Sequence, residues 1–239
     1  MHIGLIGGIG PAATERYYRG LVDRHDRAGV PLELTLVHAE MRELARNLAA
    51  QARNEQAQIF VALVRRLAAA GAQIAAVTSL AGHFCIRELE AISPLPLLDA
   101  IPEIDAVIRQ RRVKTVGLLG TRLAMETKLY RGIGSAEVVI PEADALDGIH
   151  QTYIEMASAG RVTDAQRQVF FTAGKRLHTM RGAEAVLLGG TDLFLAFEGR
   201  DCRFPVIDCC GVHIDALHRY AASTDIPPPG STTTPLQHE

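Results

Sequence analysis

Residues 3–7 read IGLIG, and residues 116–120 read VGLLG. Three further segment pairs follow in the same order along the chain: residues 71–79 (GAQIAAVTS) with 182–190 (GAEAVLLGG), 96–99 (PLLD) with 205–208 (PVID), and 104–107 (IDAV) with 214–217 (IDAL). All four pairs share nearly one offset, which unrelated apolar segments would not keep. The pattern indicates an internal duplication, because a repeated sequence encodes a repeated supersecondary unit.

Short apolar segments alternate with longer segments of helical period, which is typical of parallel strands covered by helices. The predicted strands are residues 2–8, 32–37, 73–79, 95–98, 113–120, 136–140, 184–190 and 205–208. Together with the duplication, this predicts an α/β fold of two pseudo-symmetric lobes, each a four-stranded parallel sheet flanked by helices. The predicted first lobe comprises residues 1–98 and 210–224, the second residues 99–209. Residues 225–239 are predicted to be a flexible tail, since their Pro- and Thr-rich composition cannot pack a core.

Composition narrows the class of protein. The 239-residue chain has a net charge of −2 and is 48% hydrophobic, enough for a globular core. Its charges are mixed rather than grouped in basic blocks, so we expect no nucleic-acid partner. We find no apolar segment of membrane-spanning length and no N-terminal leader, so we expect a cytoplasmic protein without membrane association. Four cysteines without C-x-x-C or zinc spacing predict reduced thiols and no metal site.

Ligands of open parallel sheets bind beyond the carboxyl ends of the strands. The corresponding loops here are residues 7–10, 79–83, 120–121, 189–192 and 208–210. Two similar lobes would place these loops face to face, so we expect the functional site in the interlobe cleft, around a small ligand. Such a cleft suits the removal of a proton from one face of a carbon and its return on the other, with one acid/base group from each lobe.

These segments resemble the cofactor-independent aspartate/glutamate racemases over nearly the whole chain up to the Pro-rich tail. The likeness is carried by residues 4–14 (GLIGGIGPAAT) with Tyr17 and Tyr18, by residues 117–121 (GLLGT) with Met125 and Tyr130, and by residues 188–193 (LGGTDL) with Asp208 and His213. The resemblance implies a PLP-independent amino-acid racemase or related isomerase that needs no cofactor. It also implies a small carboxylate or amino-acid ligand and a homodimer.

Two positions depart from the family pattern. Members typically carry catalytic cysteines in a Cys-Asn-Thr-Ala-His loop and a Gly-Cys-Thr-Glu loop, whereas this chain has SLAGH at residues 79–83 and GGTD at residues 189–192. Racemisation by two thiols is therefore excluded. A serine hydroxyl is a far poorer base than a thiolate unless a neighbour accepts its proton.

We therefore predict non-standard acid/base residues. Ser79 and Asp192 are predicted to face the ligand, with His83 and His213 as supporting proton carriers. The predicted substrate-binding residues are Gly8, Gly10, Leu80, Ala81, Thr121, Gly190 and Thr191. Because Leu80 and Ala81 replace an amide and a hydroxyl of the family loop, we expect a less polar pocket than that of an ordinary family member.

Other interpretations stay open. The chain could be a catalytically inactive family member that binds a small carboxylate, and the two histidines could only cap helices or hydrogen-bond loops. A thiol of Cys209 or Cys210 could act from a displaced position, although free cysteine is commonly a small buried residue. Residues 8–13 (GIGPAA) also fit the dinucleotide pattern G-x-G-x-x-A, although the next strand ends at residues 37–38 (VH) without an acidic ribose ligand.

Overall fold

The computed structural model describes residues 1–222. The strands are β1 (Ile3–Gly7), β2 (Leu34–His38), β3 (Ile74–Val77), β4 (Thr115–Leu119), β5 (Glu137–Val139), β6 (Ala185–Leu188) and β7 (Val206–Asp208). The α-helices are α1 (Pro11–Ala28), α2 (Met41–Ala49), α3 (Arg53–Ala69), α4 (Ile86–Glu90), α5 (Ala100–Gln110), α6 (Arg122–Glu126), α7 (Leu146–Ala159), α8 (Asp164–Met180), α9 (Phe194–Phe197) and α10 (Cys209–Ala222), with 3₁₀ helices at Leu80–Cys85 and Thr191–Leu193. Within the described range, no helix combines the length and apolar character needed to cross a bilayer. The predicted tail, residues 225–239, lies outside the described residues.

Two parallel sheets form the centre of the molecule, which confirms the predicted α/β architecture. One sheet has the strand order β2-β1-β3, and the other has the order β5-β4-β6-β7. Both are covered by helices, and strands β1, β3, β4 and β6 are buried apolar segments, whereas the edge strand β2 is partly exposed.

The first sheet has three strands rather than the predicted four. Residues 95–98 make only an isolated bridge, between Leu97 and Ala75. Around it, Ala75 N–H donates to Pro96 O and Leu98 N–H donates to Ala75 O, both at 2.9 Å. Pro96 has no amide hydrogen, so the ladder cannot extend toward the start of the segment, and on the other side Leu98 O accepts a hydrogen bond from His213 Nε2 at 2.9 Å. The equivalent segment of the second lobe has one proline, Pro205, and continues into strand β7.

The duplication seen in the sequence recurs in the backbone geometry. After β3, Thr78 N–H donates to Ile6 O at 3.0 Å, and after β6, Gly189 N–H donates to Leu119 O at 2.7 Å. The next residues, Ser79 and Gly190, have φ and ψ of −141° and 123°, and of −131° and 128°. Each then starts a 3₁₀ helix. Ser79 and Gly190 are therefore structurally equivalent positions of the two lobes.

The helix that follows each repeat packs against the sheet of the other repeat. Helix α5, which follows the first repeat, contributes Ile101, Ile104 and Ile108 to the core around β4 and β6. Helix α10, which follows the second repeat, contributes Ile214 and Leu217 to the core around β1. The chain therefore crosses between the two lobes twice, before α5 and before α10, and these crossings interlock the lobes.

Candidate functional site

The strand-end loops of the two lobes meet in a closed interior. Gly8, Gly10, Ser79, Thr121 and Gly190 are all buried. Surface cavities of about 630, 890 and 720 Å³ open elsewhere on the molecule. Among the predicted site residues, only His83 lines one of these three, the cavity of about 720 Å³. The strand ends between the lobes are thus packed by protein side chains.

Asp192 joins the second lobe to the N-terminus of α1. Its Oδ1 accepts a hydrogen bond of 3.1 Å from Ala13 N–H. Gly10 has a φ of 109°, and a Cβ on it would lie 2.6 Å from Asp192 Oδ2, so glycine permits this close approach. Burial raises the pKa of Asp192 to about 6, although the hydrogen bonds from Ala13 and Tyr153 act in the opposite direction. The carboxyl group is therefore able to exchange a proton near neutral pH.

Tyr153, on α7, is a site residue that the sequence analysis missed. Its hydroxyl donates to Asp192 Oδ2 at 3.4 Å. A Cβ added to Gly190 would lie 2.4 Å from Tyr153 Cε2 and 2.9 Å from its Oη. The tyrosine thus occupies the space that any side chain at position 190 would need. No strand-end motif marks Tyr153, since it lies within a helix far from those loops in sequence.

Ser79 and His83 are buried in the first-lobe loop, but their side chains are not bonded to each other. His83 Nδ1 donates to the backbone carbonyl of Ser79 at 2.8 Å, and its Nε2 accepts from Ala100 N–H at 3.3 Å. The Nε2 also lies 3.6 Å from Asp99 Oδ1. The ring is therefore held between the loop and the start of α5, and it lines the wall of an open cavity with Asp99.

His213 is fully buried on α10 and uses both ring nitrogens. Tyr17 Oη donates to Nδ1 at 2.7 Å, and Nε2 donates to Leu98 O at 2.9 Å, a tautomer assigned from these partners. Burial lowers its pKa to about 3, with the neighbouring His83 as a further cause. The ring is neutral in this arrangement, and its role as a proton carrier stays a prediction.

Leu80 crosses from the first lobe into the second. It is 1% exposed and belongs to the core around β4 and β6, whereas Ala81 is half-buried against the first-lobe core. Thr121 is also buried, and its hydroxyl accepts from Ala124 N–H at 3.2 Å as the N-cap of α6. The first-lobe loop thus closes the cleft with an apolar side chain.

Two buried hydroxyls near the strand ends of the second lobe have no hydrogen-bond partner among the described residues. They are Thr191 Oγ1 and Tyr130 Oη. Thr191 is close enough to Asp192 to lower the pKa of that carboxyl group, and Thr121 is close enough to Tyr130 to lower the pKa of its hydroxyl, but neither pair has hydrogen-bond geometry. An unpaired buried hydroxyl costs about 1–3 kcal/mol, so most buried hydroxyls in folded proteins have a partner.

Tyr130 lies on an unusual turn. Residues 128–131 are four consecutive non-glycine residues with φ between 52° and 59°. Left-handed backbone of this kind costs about 1–2 kcal/mol per residue, and strain of this size is retained mainly where the surrounding structure requires it. The turn holds the Tyr130 ring between the cores of both lobes.

Cys209 and Cys210 are buried at the start of α10, in the cores of different lobes. Burial raises the pKa of both thiols well above the usual value. Since the thiolate is the reactive form of cysteine, their surroundings do not favour acid/base work by either thiol.

The N-terminus of α1 has an anionic partner already. The Asp192 carboxylate accepts a hydrogen bond from Ala13 N–H at this helix end. It therefore occupies the position that the pyrophosphate of a dinucleotide would need. Glu40, the nearest acidic residue after β2, caps α2 by accepting from Arg42 N–H at 3.3 Å. This geometry argues against the dinucleotide interpretation. Within residues 1–222, no group of three or more His, Cys, Asp or Glu side chains is arranged to hold a metal ion.

The fold and the site define a two-lobed α/β protein with a buried site between duplicated strand ends. Residues 6–217 match the family model described as Asp/Glu/Hydantoin racemase. The chain belongs to this family.

Solved structures agree with this assignment. A Yersinia pestis protein described as an Asp/Glu racemase is 27% identical, with a TM-score of 0.80 over 93% of this chain and 100% of that chain. An aspartate racemase homologue from Pyrococcus horikoshii is 23% identical, with a TM-score of 0.74 over 93% of this chain and 99% of that chain. A glutamate racemase from Francisella tularensis is 14% identical, with a TM-score of 0.65 over 95% and 85% of the two chains. The latter two show a shared fold.

Proposed function

We propose that this protein is a cofactor-independent, PLP-independent amino-acid racemase or related isomerase that moves a proton at the α-carbon of a small carboxylate ligand. The ligand binds in the interlobe cleft after the lobes open. Asp192 provides the acid/base group of the second lobe, and Ser79 provides that of the first, with His83 and His213 in support. The protein acts as a cytoplasmic homodimer.

Asp192 is the observation that carries this proposal. A buried carboxyl group with a pKa near 6 is tuned for proton transfer close to neutral pH, whereas an ordinary aspartate is fully ionised there and a weak base. It lies beside Gly190, the position equivalent to Ser79. The Asp192 carboxyl and the Ser79 hydroxyl therefore lie at equivalent strand ends of the two lobes. A reaction that removes a proton from one face of a carbon and returns it on the other needs one group from each side.

The remaining predicted residues form the binding surface. The backbone of Gly8 and Gly10 and the loop residues Leu80 and Ala81 contact the ligand from the first lobe. Thr121, Gly190 and Thr191 contact it from the second, where the unpartnered Thr191 hydroxyl supplies a hydrogen-bonding group. The Francisella tularensis glutamate racemase was solved in complex with D-glutamate, which supports an amino acid as the class of ligand.

Deuterium exchange tests the proposal directly. Purified protein is incubated with a panel of amino and hydroxy acids in deuterated water, and loss of the α-proton signal is followed by NMR. We expect exchange on at least one acid, and Ser79→Ala and Asp192→Asn should each lower its rate by about 100-fold or more. Exchange that is unaffected by both substitutions would contradict the proposed roles. Light scattering tests the dimer.

Leu80 favours a second candidate, a catalytically inactive member that binds a carboxylate. Its side chain fills the second-lobe core and makes the cleft apolar where acid/base chemistry would need polar groups. A ligand-dependent rise in melting temperature without any α-proton exchange would favour this candidate, because binding to the folded state alone raises the melting temperature.

A further inference from the structure

The pseudo-symmetry of the two lobes leaves one acid/base position empty. Ser79 and Gly190 have matching backbone angles, matching hydrogen bonds before them and a 3₁₀ helix after them. Ser79 has a hydroxyl at this position, whereas Gly190 has no side chain. A reaction on two faces of one carbon needs a group on each side.

Tyr153 fills the space at the empty position. Its ring and hydroxyl lie 2.4 to 2.9 Å from where the Cβ of residue 190 would be. The side chain is 4% exposed, and its hydroxyl has Asp192 Oδ2 as its partner. Tyr153 comes from helix α7 rather than from a strand-end loop, so the same place is reached by another element.

We propose that Tyr153 is a catalytic residue: its hydroxyl is the second-lobe counterpart of the Ser79 hydroxyl and passes protons between the ligand and Asp192. This rests on the proposed function and names the group that touches the reacting carbon. Asp192 acts through Tyr153 and is held in place by Ala13 N–H.

The proton transfer balances without any further reagent. Tyr153 Oη takes the α-proton while its own proton moves to the Asp192 carboxylate, so no free phenolate forms. The electron pair left on the carbon is delocalised into the ligand carboxyl group. The Ser79 hydroxyl then donates its proton to the opposite face of the carbon and becomes an alkoxide, which takes a proton from water that enters as the product leaves. Asp192 gives its proton to the hydroxide so formed, and both groups return to their starting state.

Tyr153→Phe removes the hydroxyl and keeps the ring, so it separates catalysis from packing. We expect interconversion of the two enantiomers to fall about 100-fold or more. Exchange of one enantiomer with deuterated water should fall equally, whereas the other, served by Ser79, keeps its exchange within a few-fold. The ligand-dependent rise in melting temperature should be unchanged. Tyr18→Phe is the matched control, since Tyr18 is 51% exposed.

The outcomes distinguish this inference from the proposed function. If Tyr153→Phe leaves exchange of both enantiomers intact, Tyr153 is not catalytic and the proposed function stands. If the wild-type protein exchanges no acid in the panel, both the proposed function and the role of Tyr153 are overturned.

A second measurement needs no turnover. Gly190→Ala should lower the melting temperature in the wild-type background, because the new methyl group meets the Tyr153 ring. In a Tyr153→Ala background the same substitution should have little effect. Equal losses in the two backgrounds would show that Tyr153 does not occupy the position equivalent to Ser79, and would overturn the inference.

Discussion

Asp192 is the residue whose surroundings most strongly predict a pH-dependent activity. Burial raises its pKa to about 6, so the carboxylate form needed to accept a proton appears as the pH rises through that value. We expect the exchange rate to increase with pH through about 6, with Asp192→Asn removing this limb of the profile. A pH–rate curve for both proteins measures it. An unchanged limb in Asp192→Asn would assign the ionisation to another group.

His213 makes the stability of the folded protein depend on pH. Its pKa is about 3 in the folded protein, whereas the unfolded chain has the ordinary histidine value near 6.5. Between these values the unfolded state binds more protons, so the free energy of unfolding falls as the pH is lowered below about 6.5. At about pH 5 the loss attributable to His213 is on the order of 2 kcal/mol.

Urea denaturation of the wild type and His213→Gln at about pH 7 and pH 5 tests this prediction. We expect the variant to be less stable by about 1–3 kcal/mol at neutral pH, because it disrupts the buried bonds to Tyr17 and Leu98. The further loss of stability on acidification should be smaller in the variant. Equal acid losses in wild type and His213→Gln would contradict the assignment.

Asp192 acts in the opposite direction. Because its folded-state pKa is raised, it favours the folded state on acidification over about pH 6 to 4, so Asp192→Asn should increase the loss of stability at acidic pH.

At the level of single elements, the 3₁₀ helix Leu80–Cys85 closes the cleft through one side chain. Leu80 is 1% exposed within the second-lobe core, so Leu80→Ala leaves a cavity between the lobes. We expect the free energy of unfolding to fall by about 2–5 kcal/mol, the range for buried leucine truncations. Leu36→Ala is the control, since Leu36 is 43% exposed and should cost far less. A loss no larger than that of the control would show that Leu80 is not packed there.

The strand elements were predictable from the sequence, but the side chains that fill the cleft were not. The repeated segments predicted which strand ends are equivalent in the two lobes, because a repeated sequence encodes a repeated supersecondary unit. The shortened fourth strand of the first sheet depends on Pro96 and on the hydrogen bond from His213 to Leu98 O, neither of which a hydrophobic pattern shows. Tyr153 lies on a helix, and no local pattern shows which helical side chain reaches Gly190. We therefore expect that Gly190→Cys alone does not create a working thiol site, since the Tyr153 ring occupies the space that the new side chain needs.

At the level of the whole molecule, several contacts cross between the lobes in addition to Leu80, and three of them involve helix α1. Asp192 accepts from Ala13 N–H, and Arg16 on α1 donates to Asp208 at 2.7 Å and pairs with Glu198 at 2.6 Å. Arg16 and Asp208 are both largely shielded, so removing either would leave a poorly solvated charge. Since α5 and α10 each pack against the sheet of the other repeat, neither repeat forms a complete core by itself, and the chain crosses between the lobes twice.

This interlocking predicts that the two lobes unfold together. Phe60 in the first lobe and Phe170 in the second are fully buried, so Phe60→Ala and Phe170→Ala should each cost about 3–5 kcal/mol. For either substitution, we expect the denaturant concentration at which backbone amides lose protection from exchange to fall by the same amount in β1 and β4. A single cooperative unfolding transition would expose both strands together. Hydrogen exchange followed by mass spectrometry at increasing denaturant measures the two strands separately. If Phe170→Ala lowered the midpoint of β4 while β1 kept its wild-type value, the lobes would be independent folding units, and the cleft would open by local unfolding of the second lobe.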